Sequence, residues 1–153
     1  MKKRVLYFNV ISLLTPSCKE QIAHSTILFS HDLLEHIVLD QNAIALLTEF
    51  SQKTSVLLFP LQSRFHREFL IQNGFEDSVL APDANYTVRR GDMNEVNHRI
   101  AHANAINSDW YIASDKYDKK FLEPHLSDRF VEIDAEGVSP KWIEMLINKF
   151  NSQ

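Results

Sequence analysis

The residues able to do chemistry stand at four places in the chain. Asn9 and Ser12 follow one apolar run, Gln62 and Arg64 follow a second, Arg89 and Arg90 precede a helical stretch, and Ser114 and Asp115 follow a third apolar run. Ligands of open parallel sheets bind beyond the carboxyl ends of the strands, so these are the candidate ligand-binding positions. Arg89 and Arg90 could clamp a phosphate at a helix start, where backbone donors and the helix dipole favour anions. Asp92, read as the cap of that helix, opposes this with a negative charge at the same end.

Two further groups have metal-like spacing. Glu95, His98 and His102 share one helical face opposite Val96 and Ile100, a possible zinc trio. A solvated polar face is the ordinary reading of such a short match. His31 and His36 flank Asp32 and Glu35, and a loop or helix surface is the simpler reading there. Cys18 has no histidine at a recognised spacing and reads as an inert thiol.

The elements that must position these groups follow from periodicity. Val5–Phe8 with Val10, Ser55–Phe59, Asp109–Ala113 and Arg129–Ile133 are short apolar runs of the kind found in strands buried on both faces. Between them lie helical stretches. One is capped by Asp40, with Ala43, Ile44, Leu47 and Phe50 at helical spacing. A second spans Ser63 to Asn73 and stops at Gly74. A third starts at Asp92, with Val96, Ile100, Ala103 and Ile106 as its apolar face. The last opens at Ser139-Pro140, with Trp142, Ile143, Leu146, Ile147 and Phe150 apolar. Residues 75–89 leave room for one short strand. The stretch from Thr15 to Leu39 is longer than an ordinary connection and is a candidate interaction surface through Phe29, Leu33 and Leu34. Trp110, Tyr111, Trp142 and Phe150 fall at core positions. The alternation predicts a single α/β domain over residues 1–153, with a mostly parallel sheet and helices on both faces.

Bulk properties narrow the classes. Three glycines leave no Gly-rich phosphate cradle, and a formal net charge of −4 speaks against a nucleic-acid backbone as main partner. One cysteine cannot form an internal disulfide, so a reducing compartment, the cytoplasm, is expected. No apolar run reaches the length of a membrane span, so no membrane partner is expected.

The order of motifs resembles the haloacid-dehalogenase (HAD) superfamily, and within it the compact, capless domains attached to RNA-repair proteins. Asn9-Val10-Ile11-Ser12-Leu13-Leu14-Thr15-Pro16 looks like the D-x-D-G end of the first strand, with both aspartates and the glycine replaced. Leu57 to Arg64 is similar to the end of the second strand, where Arg64 matches the arginine of S-S-x-W-R and the serine pair is gone. Arg90 to Ile100 resembles the R-x-x-E-I helix start, with only Arg89 or Arg90 able to serve as its base. Asp109-Trp110-Tyr111-Ile112-Ala113-Ser114-Asp115 resembles the D-W-x-x-x-D-D strand, with Ser114 in place of the first aspartate of the pair. Asp134 to Ser139 resembles the closing turn. The resemblance covers nearly the whole chain and implies a three-layer Rossmann-like fold.

It also implies that phosphatase chemistry is disabled. The family's nucleophile is an aspartate at the end of strand one, and the amide of Asn9 cannot replace it. The general acid two residues on is replaced by Ile11, which has no proton to give. Of the magnesium-binding carboxylates only Asp115 has a counterpart, so no cofactor beyond a weakly held magnesium ion is expected. The resemblance thus points to a catalytically degenerate domain that binds a protein or a phosphate-bearing ligand in a regulatory, inhibitor or immunity-type role. The alternative is a magnesium-dependent phosphohydrolase with a rearranged site that uses Asp115 and a further acid, Asp109, Asp118 or Asp134. A receiver-like or flavodoxin-like domain is a third reading, for which Lys116 and Lys141 are poorly placed.

Overall fold

The computed structural model describes residues 2–13, 38–89, 91, 94–133 and 137–153, with the backbone alone at Ser12 and Leu13. Val5 to Phe8 are at most 1% exposed, as a continuous apolar run requires. They lie in β1 (Lys3–Phe8), which pairs in parallel with β2 (Leu57–Pro60) on one side and β3 (Ser108–Ser114) on the other. β4 (Phe130–Glu132) pairs in parallel with β3, giving the order β2-β1-β3-β4. The chain is therefore α/β, with an all-parallel sheet of four strands among the described residues. It leaves β1 towards one side and later returns to the other. The gap between the carboxyl ends of β1 and β3 is thus the switch point of the sheet, where parallel sheets open a crevice.

In chain order the helices are α1 (Gln41–Thr54), α2 (Arg67–Gln72), α3 (Glu95–Ala105), α4 (Lys116–Lys119) and α5 (Pro140–Asn151). Asp40 caps α1 by accepting the Asn42 N–H at 2.9 Å, and Ser139 caps α5 by accepting the Trp142 N–H at 3.2 Å, both as expected. Alternate strand residues feed two apolar clusters. Leu6, Phe8, Leu58 and Ala113 join α1 and α5 residues such as Leu47, Phe50, Leu146 and Phe150. Val5, Tyr7, Phe59 and Ile112 join Val96 and Ala103 of α3. Arg4 ties the first group together, donating to Thr54 O at 2.7 Å and Phe150 O at 2.9 Å near the ends of α1 and α5. Trp110, Trp142 and Phe150 are buried, and Tyr111 packs edge-on against Phe150.

Several expectations need correction. Residues 75–89 form no strand. A 3₁₀ turn spans Asp77–Val79, and the chain then meets the sheet only at a single bridge of Leu80 to Leu58, with the Ala81 N–H donating to Leu58 O at 2.8 Å. Pro82 then removes the N–H that a longer ladder would need. The second helix starts at Arg67 rather than Ser63, because the Ser63 N–H is held by Glu95 and Phe65 turns back onto Gln62 O. It ends at Gln72, and Gly74, just past the cap Asn73, has a φ of 114° that suits glycine. The third helix is capped by Asn94, which accepts from Asn97 N at 2.9 Å; Asp92 lies outside the described residues. So do Cys18, the cluster of His31, Asp32, Glu35 and His36, and the proposed interaction surface up to residue 37.

Candidate functional site

The carboxyl ends of β1 and β3 bring Asn9 and Ser114 together. Asn9 continues the ladder by donating its N–H to Ala113 O at 2.9 Å, which fixes its side chain beside the end of β3. Its Nδ2 donates to Ser114 Oγ at 3.0 Å. Its Oδ1 accepts from Gln62 Nε2 at 2.7 Å and from the Ile11 N–H at 2.9 Å. Gln62 Oε1 in turn accepts the Val10 N–H at 3.0 Å. Three of the expected site residues, Asn9, Gln62 and Ser114, therefore converge, with Asn9 bonded to both of the others.

Ser114 is fully buried, and its hydroxyl passes the chain of bonds on by donating to Asp118 Oδ2 at 2.6 Å. Burial pushes the Asp118 carboxyl above its ordinary range. The Ser114 hydrogen bond acts against this, and Asp115 and Glu95 reinforce it. Of the further acids Asp109, Asp118 and Asp134, Asp118 is at this edge. Asp109 sits at the opposite end of β3, paired in register with Arg4, and Asp134 lies outside the described residues.

Asp115 is turned differently from a metal ligand. It is exposed, and its Oδ1 accepts the Tyr117 N–H at 3.0 Å as the cap of α4. Ile11 is partly buried and packs against the apolar cluster of Leu6 and Phe8. Arg64 is half-buried in the loop after β2, where burial holds its guanidinium below the usual arginine value and Glu95 acts against that shift. Glu95 itself reaches from the first turn of α3 to the Ser63 N–H (2.9 Å) and Ser63 Oγ (3.2 Å). Arg90 and the Ser12 side chain lie outside the described residues, and Arg89 is exposed.

Among the described residues this donor set offers a magnesium ion two carboxylates, Asp115 and Asp118. Magnesium takes hard oxygens from one or two carboxylates with room for waters. Here the Asn9 carbonyl oxygen already accepts two bonds, Ser114 is neutral, and Asp115 and Asp118 each hold a donor. Among the described residues no three His, Cys, Asp or Glu side chains form a metal-holding group.

The Glu95, His98 and His102 trio does not assemble, and its expected solvated face is corrected as well. His102 is 1% exposed. Its Nε2 lies 2.9 Å from Pro82 O and its Nδ1 2.7 Å from the Tyr7 hydroxyl. A carbonyl only accepts, so Nε2 carries a proton, and in the neutral ring, which burial favours, Nδ1 accepts from the Tyr7 hydroxyl. Burial lowers the His102 pKa, and the nearby Arg99 charge adds to the shift. Arg99, one turn from Glu95, is also buried at 4% exposure. Sequence reasoning passed over Arg99. The available signal was its position three residues after Val96 and four before Ala103, on the apolar side of the helix.

Among the described residues no helix is long and apolar enough to cross a membrane. No family model matches the chain, and no curated protein or solved structure does.

Proposed function

We propose that the chain is a binding domain on a three-layer, HAD-like frame in which phosphatase chemistry has been lost. The two apolar clusters, fed by alternate residues of the same strands, are what a sheet covered on both faces would give. The observation that carries the functional reading is the closed set of hydrogen bonds around Asn9. An amide that donates to Ser114 and accepts from Gln62 and Ile11 has neither the charge nor a free lone pair for attack on phosphorus. Such a network locks the switch point in one arrangement and leaves the rim to act by recognition, of a protein or of a phosphate-bearing ligand. The single cysteine and net charge of −4 suit a cytoplasmic, regulatory or inhibitor-type role.

Asp118 favours a second reading. A half-buried carboxyl whose pKa is raised is the kind of group that serves as a general acid, and it stands next to the switch point. A phosphohydrolase with a rearranged site would use it together with Asp115. The deciding experiment is phosphate release from a panel of phosphomonoesters and nucleotides, with and without magnesium, for the wild type, Asp118→Asn and Asp115→Ala. Release no greater than the blank supports the binding domain. Turnover that disappears in Asp118→Asn establishes the rearranged enzyme instead.

A further inference from the structure

Away from the strand-end site, a cavity of about 170 Å3 opens between the loop after β2, residues 83–86 and α3. Its volume is well below the ~300–1,000 Å3 of sites for drug-sized ligands, so its occupant is small. Phe59, Tyr86, His102 and Arg99 are among the residues that line it.

Arg99 is the unusual feature. Its Nε donates to Leu61 O at 3.0 Å and its Nη1 to the Tyr86 hydroxyl at 3.2 Å. Its carbon Cζ stands 5.0 Å from the centre of the Phe59 ring. Among the described residues Nη2 has no acceptor, and no carboxylate forms an ion pair with the guanidinium. Nη2 is not among the buried unpartnered side-chain atoms, so this edge of the guanidinium is open, and an open edge with donors to spare matches a planar oxyanion.

The surrounding charges define the ligand further. Burial of His102 among Phe59, Tyr7 and Pro82 favours its neutral form. Arg67 also lines the cavity, but its guanidinium is neutralised by Asp77 at 2.5 Å. Asp83 and His66 are exposed to water at the rim. Arg99 is the buried cation of this cavity, and Glu95 and Asp83 act on its charge from beyond ion-pair distance, which suits a single negative charge and opposes a second. The Phe59 ring, 4% exposed and stacked on His102 at 4.2 Å, closes the wall beside it.

We infer that this cavity binds a small organic monocarboxylate, its carboxylate on Arg99 and its body in the space lined by Ala84 and Tyr86. The site is separate from the Asn9 network and stands whether or not that edge is catalytic.

The test is titration of the purified full chain with benzoate and with inorganic phosphate, followed by calorimetry and by the NMR signals of arginine side-chain N–H groups. Benzoate is expected to saturate with a Kd near 1 mM, a modest affinity suited to a ligand of this size, and to move the Arg99 signal. Arg99→Gln abolishes binding but removes a buried group and can unfold the chain. Ala84→Phe is the second variant, because Ala84 lines the cavity on a loop and makes none of the Arg99 bonds. In a folded Ala84→Phe protein, benzoate affinity falls at least about 10-fold. The proposal is overturned by an absence of saturable benzoate binding, by unchanged affinity in folded Ala84→Phe, or by tighter binding of phosphate than of benzoate.

Discussion

The Asn9 amide nitrogen lies 3.0 Å from Ser114 Oγ, so the two strands flanking the switch point are tied by their terminal side chains. The bond needs an N–H at position 9, because Ser114 gives its own proton to Asp118. Asn9→Asp would recreate the charge of a phosphatase nucleophile but set two oxygens against each other and place a carboxylate near Asp118. Stability should fall by about 1–3 kcal/mol at neutral pH, the usual cost of an unsatisfied buried group. The fall should appear as a lower urea midpoint at unchanged slope. Phosphate release should stay at the blank. Unchanged stability would show that the Asn9–Ser114 bond holds nothing together.

Asp118 should be replaceable by its amide. Its folded pKa is raised, chiefly by burial, so the folded chain holds this proton more tightly than the unfolded chain does. The corresponding stability is present below the unfolded aspartate value and is lost as pH rises through the folded value. Asp118→Asn removes that loss while its amide oxygen still accepts from Ser114. The variant should match or exceed the wild type at neutral pH, by at most about 1 kcal/mol. The margin should shrink as pH falls towards about 4, measured by thermal melts. A variant clearly less stable than the wild type at neutral pH would mean that the charge on Asp118 is needed.

The strands and the caps Asp40 and Ser139 are legible in the sequence because each depends on neighbouring residues alone. Asn9, Gln62 and Ser114 are legible for the same reason, since any parallel sheet sends its strand ends to one edge. Their mutual hydrogen bonds are not, because Gln62 and Asn9 meet across 53 positions. His102 shows the limit most clearly. Helical spacing groups it with His98, yet its partners Tyr7 and Pro82 lie 95 and 20 positions away. The cap of α3 falls at Asn94, two residues after Asp92, the position that residue type favours in the sequence.

His102 should make the fold sensitive to mild acid. Burial depresses its folded pKa, so the unfolded chain binds this proton more readily. The stability it contributes is complete above the unfolded histidine value of about 6.5 and is lost as pH falls below it, levelling off past the folded value. The His102 ring signals in NMR should titrate below that ordinary value. The wild-type melting temperature should drop through the same window, more steeply than that of His102→Gln. A ring that titrates at or above about 6.5 would contradict the buried neutral tautomer.

Arg4 offers the last test, of how the sheet holds two helices. One guanidinium donates to both Thr54 O and Phe150 O, the carbonyls that α1 and α5 leave open at their C-terminal ends. A positive charge there also complements both helix dipoles. Arg4→Met keeps the apolar stem and removes both bonds. The expected loss is about 2–3 kcal/mol, near the value for charged donors to buried carbonyls after allowance for partial exposure. For a chain of this size that corresponds to a melting temperature lower by roughly 5–10 °C. Arg4→Lys should fall between the two proteins, because one ammonium cannot present the fork that spans both carbonyls. If Arg4→Lys matches the wild type, charge alone is responsible and the double cap is not; if Arg4→Met does, neither contributes.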